Sequence, residues 1–183
     1  HYVDNPELEL KLLIQVKQYI VFSHGQESGP WGTKITSMSK IAEKMQCKVI
    51  SVDYRGIIDP EDRIKKLIQE CSSISDPIIL VGSSMGGFVA TAAASQIETM
   101  GLFILAPAFF MDEFDNSLIK PVSVPIEIIH GWNDDVVPVE NSMRFAESSK
   151  ANLHILNSDH GLTDNLDNIN CIFENFIEKM QCQ

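Results

Sequence analysis

A chain of 183 residues with 44% hydrophobic content has enough apolar mass for one globular core and too little for two comfortable domains. Its 25 acidic residues against 14 basic leave a formal charge of -11, which repels phosphate backbones and anionic lipid, so neither nucleic acid nor a membrane surface is an expected partner. No apolar run is long enough to span a bilayer, and the opening HYVDNPELEL has neither the basic start nor the apolar middle of a secretion signal.

The first element, residues 1–18, is ambiguous. Leu8, Leu10, Leu12, Ile14 and Val16 alternate with polar residues, which suits an antiparallel edge strand, yet Leu8, Leu12 and Val16 would also line one side of a helix. From Tyr19 onward, over residues 19–183, β-branched runs alternate with amphipathic stretches. YIVFS (19–23) reads as a strand, and Ile35, Met38, Ala42 and Met45 then share one helical stripe. KVISVDY (48–54) is the second strand. Asp59 and Pro60 open a helix as N-cap and first-turn proline, Glu61 and Asp62 suit its positive end, and Ile64, Leu67, Ile68 and Cys71 form its stripe. PIILVG (77–82), GLFILAP (101–107), PIEIIHG (125–131) and NLHILN (152–157) follow as strands. The final helix carries Leu166, Ile169, Phe173, Phe176, Ile177 and Met180. Nearly continuous apolar strands alternating with helices imply an open, mostly parallel six-stranded α/β sheet with helices on both faces and right-handed crossovers. Cys47, Cys71, Cys171 and Cys182 are scattered without C-x-x-C or zinc-type histidine spacing, so they read as reduced thiols of a cytoplasmic protein, half buried on helices.

In such sheets the ligand site lies beyond the carboxyl ends of the strands. Gly82-Ser83-Ser84-Met85-Gly86 sits there as G-x-S-x-G between a strand and a helix, the context of a nucleophile elbow. The glycines leave room for a sharp turn around Ser84, whereas Ser83 would have the bulky Val81 in the equivalent preceding place. By chance the pattern occurs in about 6 of 100 chains of this length, so its position is what gives it weight. A glycine-rich turn that binds phosphate at the helix terminus is the bland alternative. A serine hydroxyl needs a base and an orienting acid, and both follow in order: HGWNDDVVP places Asp134 and Asp135 past the fifth strand, and SDHGL places His160 past the sixth. His24, His130 and His154 read as structural hydrogen-bonding residues.

With FSHGQESGPWG, GSSMGG, HGWNDDVVP and DHGL all in order, the chain from about Tyr19 to its end resembles the α/β-hydrolase superfamily, in particular its small bacterial esterase-like members without a lid. The resemblance implies a minimal single-domain α/β-hydrolase fold and a serine carboxylesterase with Ser84 as nucleophile, Asp134 as acid (Asp135 the alternative) and His160 as base. It further implies an oxyanion hole from the backbone N–H groups of Gln26 and Met85, and no metal or organic cofactor. Trp31, Phe109, Phe110, Met111 and Trp132, all in strand-end loops, are expected to wall the cleft around a small-molecule ester or thioester. Between Pro107 and Pro125 there are too few residues for a lid. DEFD (112–115) reads as a solvated turn and Arg55 as a surface ion-pair partner. Thioesterase and peptidase activity would use the same residues, a non-catalytic module on the same scaffold remains an alternative, and homodimerisation is left open. A dinucleotide-binding domain would want G-x-G-x-x-G after its first strand, which SHGQESGPWG does not supply.

Overall fold

The apolar runs pair side by side. In the computed structural model, which describes Pro6 and residues 18–183, the strands are β1 (Tyr19–Ser23), β2 (Lys48–Val52), β3 (Ile78–Ser83), β4 (Thr99–Leu105), β5 (Ile126–Gly131) and β6 (Asn152–Leu156). They form one six-stranded sheet in the order β2-β1-β3-β4-β5-β6, and every pairing in it is parallel. The antiparallel strand considered for residues 1–18 falls almost entirely outside the described residues.

The helices are α1 (Thr33–Lys44), α2 (Pro60–Ser72), α3 (Met85–Ala94), α4 (Val139–Ser149) and α5 (Leu166–Gln181). Period-two alternation along each strand feeds two cores, as a sheet covered on both faces requires. Val21, Leu80, Leu102 and Ile104 face α2, α3 and α4. Ile20, Phe22, Ile79, Val81, Phe103 and Leu105 face α1 and α5. On that second side Phe173 of α5 tilts against Phe22 and Phe103 at centroid distances of 6.4 and 5.0 Å, and burial of each such ring contributes about 1.5–3 kcal/mol.

The start of α2 follows from its sequence: Asp59 caps it by accepting from the Glu61 N–H at 3.0 Å, with Pro60 at the first position. Helix α3 is different. All its residues from Met85 to Ala94 are buried, and the run of small side chains lets it lie close to the sheet. Strict alternation of strand and helix fails once: the segment between β4 and β5 holds only a 3-10 turn, Asn116–Leu118. Because the chain steps from β1 outward to β2 and then returns to β3 on the other side of β1, the sheet has its topological switch between β1 and β3. The loops after those two strands therefore diverge and leave a crevice.

Candidate active site

Ser84 follows β3 directly and adopts φ 55° and ψ -120°, a conformation that L-residues keep only where their surroundings over-determine it. Here they do. Its N–H donates to the Leu105 carbonyl at 2.9 Å, and its carbonyl accepts from the N–H groups of Gly87, Phe88 and Ala108 at 3.0, 3.2 and 3.0 Å. A Cβ on Gly82 would stand 2.4 Å from the Gly86 carbonyl oxygen, and one on Gly86 only 2.0 Å from that of Ser23. Neither position admits a side chain, which is why the turn is written in glycine.

The loop after β6 brings His160 over the serine. The Ser84 hydroxyl donates to His160 Nε2 at 2.9 Å, and His160 Nδ1–H donates to Asp134 Oδ2 at 2.7 Å. A carboxylate can only accept, so it selects this tautomer. Asp134 is held from all sides: its Oδ1 accepts from the N–H groups of Val136 and Val137 at 2.8 and 2.7 Å, and its side chain is fully buried. Burial pushes its pKa up, but the hydrogen bonds from His160, Val137 and Val136 outweigh that and hold it below the ordinary carboxylate range. Asp135, the neighbouring alternative, is exposed.

His130 reinforces the acid from behind. Its Nε2 lies 3.0 Å from Asp134 Oδ2 and 3.0 Å from the Val137 carbonyl, while its Nδ1 meets Ser142 Oγ at 2.7 Å. Nε2 faces two acceptors and is therefore a donor, and burial lowers the pKa of the ring. Lys34 of α1 ties down the loop that carries His160, its Nζ donating to the Gly161 carbonyl at 2.8 Å. Neither contact was legible in a motif.

The loop after β1 reaches the serine too. A Cβ on Gly25 would lie 3.6 Å from Ser84 Cβ, so Gly25 lies beside the serine. Met85 is the first residue of α3, where an N–H has no intrahelical acceptor. Among the residues expected around the cleft, Trp31 and Trp132 are exposed at 56% and 57%, and Phe110 and Met111 are half-buried. Phe109 does not stand at the mouth. It is fully buried and stacks on Phe145 at 4.1 Å, forming the inner wall of a cleft of about 430 Å³ lined also by Phe110, Ile119, Val122 and Ile126. Arg55 is spent on Asp53 at 2.7 Å. The 112–115 turn is not wholly solvated, because Phe114 stacks on Phe88 at 5.2 Å. All four cysteines are free thiols; Cys171 on α5 and Cys182 beyond it are exposed rather than half-buried, and Cys47 lies before β2 rather than on a helix. Among the described residues no helix is long and apolar enough to cross a membrane.

Known proteins resemble this arrangement at two levels. The sequence model of an uncharacterised protein family (UPF0227) matches residues 19–123, which contain Gln26 and Ser84 but not Asp134 or His160. A protein of Pongo abelii named "Palmitoyl-protein thioesterase ABHD10, mitochondrial" is 27% identical over 202 residues, covering 79% of this chain and 66% of that protein, slightly less than two thirds of its length. A structure from Xanthomonas campestris pv. campestris, described as a hydrolase of the alpha/beta superfamily, superposes with a TM-score of 0.82 at 23% identity, covering 91% of this chain and 99% of that one. A second Xanthomonas campestris structure, described as a serine hydrolase without a lid, gives a TM-score of 0.75 at 17% identity over 88% of this chain and 81% of that one. The fold is that of the α/β hydrolases, lidless members included.

Proposed function

The chain belongs to the uncharacterised protein family UPF0227, and from the α/β-hydrolase fold on which its site is built we propose that it is a serine hydrolase, cleaving carboxylic esters or thioesters through an acyl-serine intermediate. One observation carries this reading: His160 bridges the Ser84 hydroxyl at 2.9 Å and the Asp134 carboxylate at 2.7 Å.

In the first half-reaction Ser84 Oγ bonds to the carbonyl carbon as His160 Nε2 takes the hydroxyl proton, and the carbonyl π pair moves onto oxygen. Asp134 stays ionised and stabilises the imidazolium through Nδ1–H. The oxyanion is held by the N–H groups of Gln26 and Met85, a kind of interaction whose single-donor loss costs about 10²- to 10³-fold in rate. Collapse expels the alkoxide or thiolate, which takes the proton from Nε2. Water then adds to the acyl carbon with Nε2 as base, and the acid departs as Ser84 regains its proton.

Phe110 and Met111 are the proposed apolar contacts of the acyl group. Ala108, whose N–H donates to the Ser84 carbonyl, leads directly into Phe109, Phe110 and Met111, and the half-buried Phe110 and Met111 offer apolar surface close to the serine in sequence. The name of the 27%-identical relative, a palmitoyl-protein thioesterase, favours a thioester of a long acyl chain as substrate. The free thiols suit a reducing compartment such as the cytoplasm. The test is labelling with a fluorophosphonate followed by peptide mass spectrometry, then a series of acyl esters and thioesters of rising chain length. A single adduct on Ser84, absent after denaturation and in His160→Ala, is the expected result. Well-folded protein that takes no adduct would overturn the hydrolase reading and leave a binding module.

A further inference from the structure

Arg63 on α2 is only 3% exposed. A guanidinium so deep normally faces a carboxylate, yet among the described residues no salt bridge involves it. Its donors go to backbone carbonyls instead: Nε to Ile57 at 2.7 Å, Nη1 to Gly25 at 3.2 Å and Nη2 to Gln26 at 3.5 Å. The face of Tyr54 supports it, with the guanidinium carbon 5.2 Å from the ring centroid. A costly buried cation is thus committed to the turn after β1 and the loop after β2.

We propose that Arg63 is a positioning residue for the oxyanion site, gripping the Gly25–Gln26 turn by its carbonyls and thereby aiming the Gln26 N–H at the developing negative charge. This inference rests on the serine-hydrolase reading. The geometric reason is that the Gly25 carbonyl and the Gln26 N–H belong to one planar trans peptide and point in opposite directions. Whatever fixes the oxygen fixes the hydrogen. The Gly25 oxygen is held from a second side by His24 Nδ1 at 2.7 Å, and the Tyr54 N–H donates to the other nitrogen of that ring at 2.8 Å, which leaves Nδ1 as the protonated donor. A Cβ built on Gly25 would lie 3.6 Å from Ser84 Cβ, so the turn held by Arg63 and His24 runs beside the nucleophile. A positive charge on the carbonyl side also polarises the amide and makes its N–H the stronger donor. The planar fork spreads its donors over three nitrogens and so reaches three carbonyls on two loops, whereas the three donors of a lysine radiate from one atom.

The test uses the rate of fluorophosphonate labelling of Ser84, split into the limiting rate of phosphonylation and the half-saturating probe concentration, because the phosphoryl oxygen occupies the oxyanion site as the bond forms. Arg63→Met is expected to lower the limiting rate about 10- to 100-fold, short of the 10²- to 10³-fold lost with a whole donor, with half-saturation changed less than about twofold. Arg63→Lys should fall between Arg63→Met and the wild type. Leu67→Ala, which removes a fully buried side chain one turn further along α2, supplies a variant of lowered Tm that should keep the wild-type limiting rate. A folded Arg63→Met that labels like the wild type overturns the inference, as does a rate loss no larger than that of Leu67→Ala. If Arg63→Met does not fold, Arg63→Lys decides: an unchanged limiting rate overturns the inference, and a loss with unchanged half-saturation supports it. Failure of the wild type to label at Ser84 would instead sink the hydrolase reading itself.

Discussion

Two connections leave the sheet at its carboxyl edge and could hardly be built less alike. The turn from β3 into α3 holds Ser84 at φ 55° between glycines that admit no Cβ, and the helix behind it is wholly buried. The segment from β4 to β5 carries a single 3-10 turn, exposes Asp112, Glu113 and Asp115, and wraps a cleft of about 430 Å³. On the proposed function the difference separates two tasks. Chemistry requires atoms held within tenths of an ångström, which only an over-determined backbone supplies. Fitting a substrate requires a surface whose side chains can change without disturbing that backbone.

That contrast can be broken at the rigid end first. Asp134→Asn should cut ester hydrolysis about 10⁴-fold by losing the acceptor that sets the His160 tautomer, whereas Asp135→Asn should stay within about twofold; steady-state kinetics with an activated ester checks both, and a reversed order would move the acid to Asp135. Gly86→Ala should destabilise the fold by at least about 3 kcal/mol in urea unfolding, since its methyl would meet the Ser23 carbonyl at 2.0 Å. At the adaptable end, Phe110→Ala should raise KM for long-chain esters about tenfold while acetyl ester turnover and Tm barely move. A matching loss on acetyl ester would mean that Phe110 shapes the elbow and does not contact the acyl group.

The smallest effect is on pH dependence. Burial lowers the pKa of both His24 and His130, so the unfolded chain binds protons that the folded one refuses once pH drops below about 6.5. The stability these groups contribute is fully present above that pH and is lost as pH falls through their lower folded values. Tm should therefore decline between pH 7 and pH 5, and His130→Gln should flatten part of the decline. A Tm independent of pH in that window would show that neither ring is held neutral.

The strands, the capped start of α2 and the order of Ser84, Asp134 and His160 were legible because each rests on local rules: hydrophobic period, a capping side chain, a glycine-flanked turn. The full burial of Phe109 was not legible, because an aromatic residue in a strand-end loop looks the same whether it faces solvent or Phe145. Arg63 was overlooked although a signal existed, since it lies one helical turn before Leu67 on the apolar stripe of α2 and a charge at such a place is anomalous. Composition and spacing thus determined by themselves that this chain builds a covered α/β sheet with a glycine-flanked serine after its third strand and Asp134 and His160 after later ones. Tertiary structure alone decided that Asp134 and not Asp135 meets His160, that His130 contacts Asp134 and Lys34 the loop after His160, and that Arg63 reaches the turn beside Ser84. Those contacts join residues far apart in the chain, and their distances depend on how helices seat against the sheet, which no local pattern encodes.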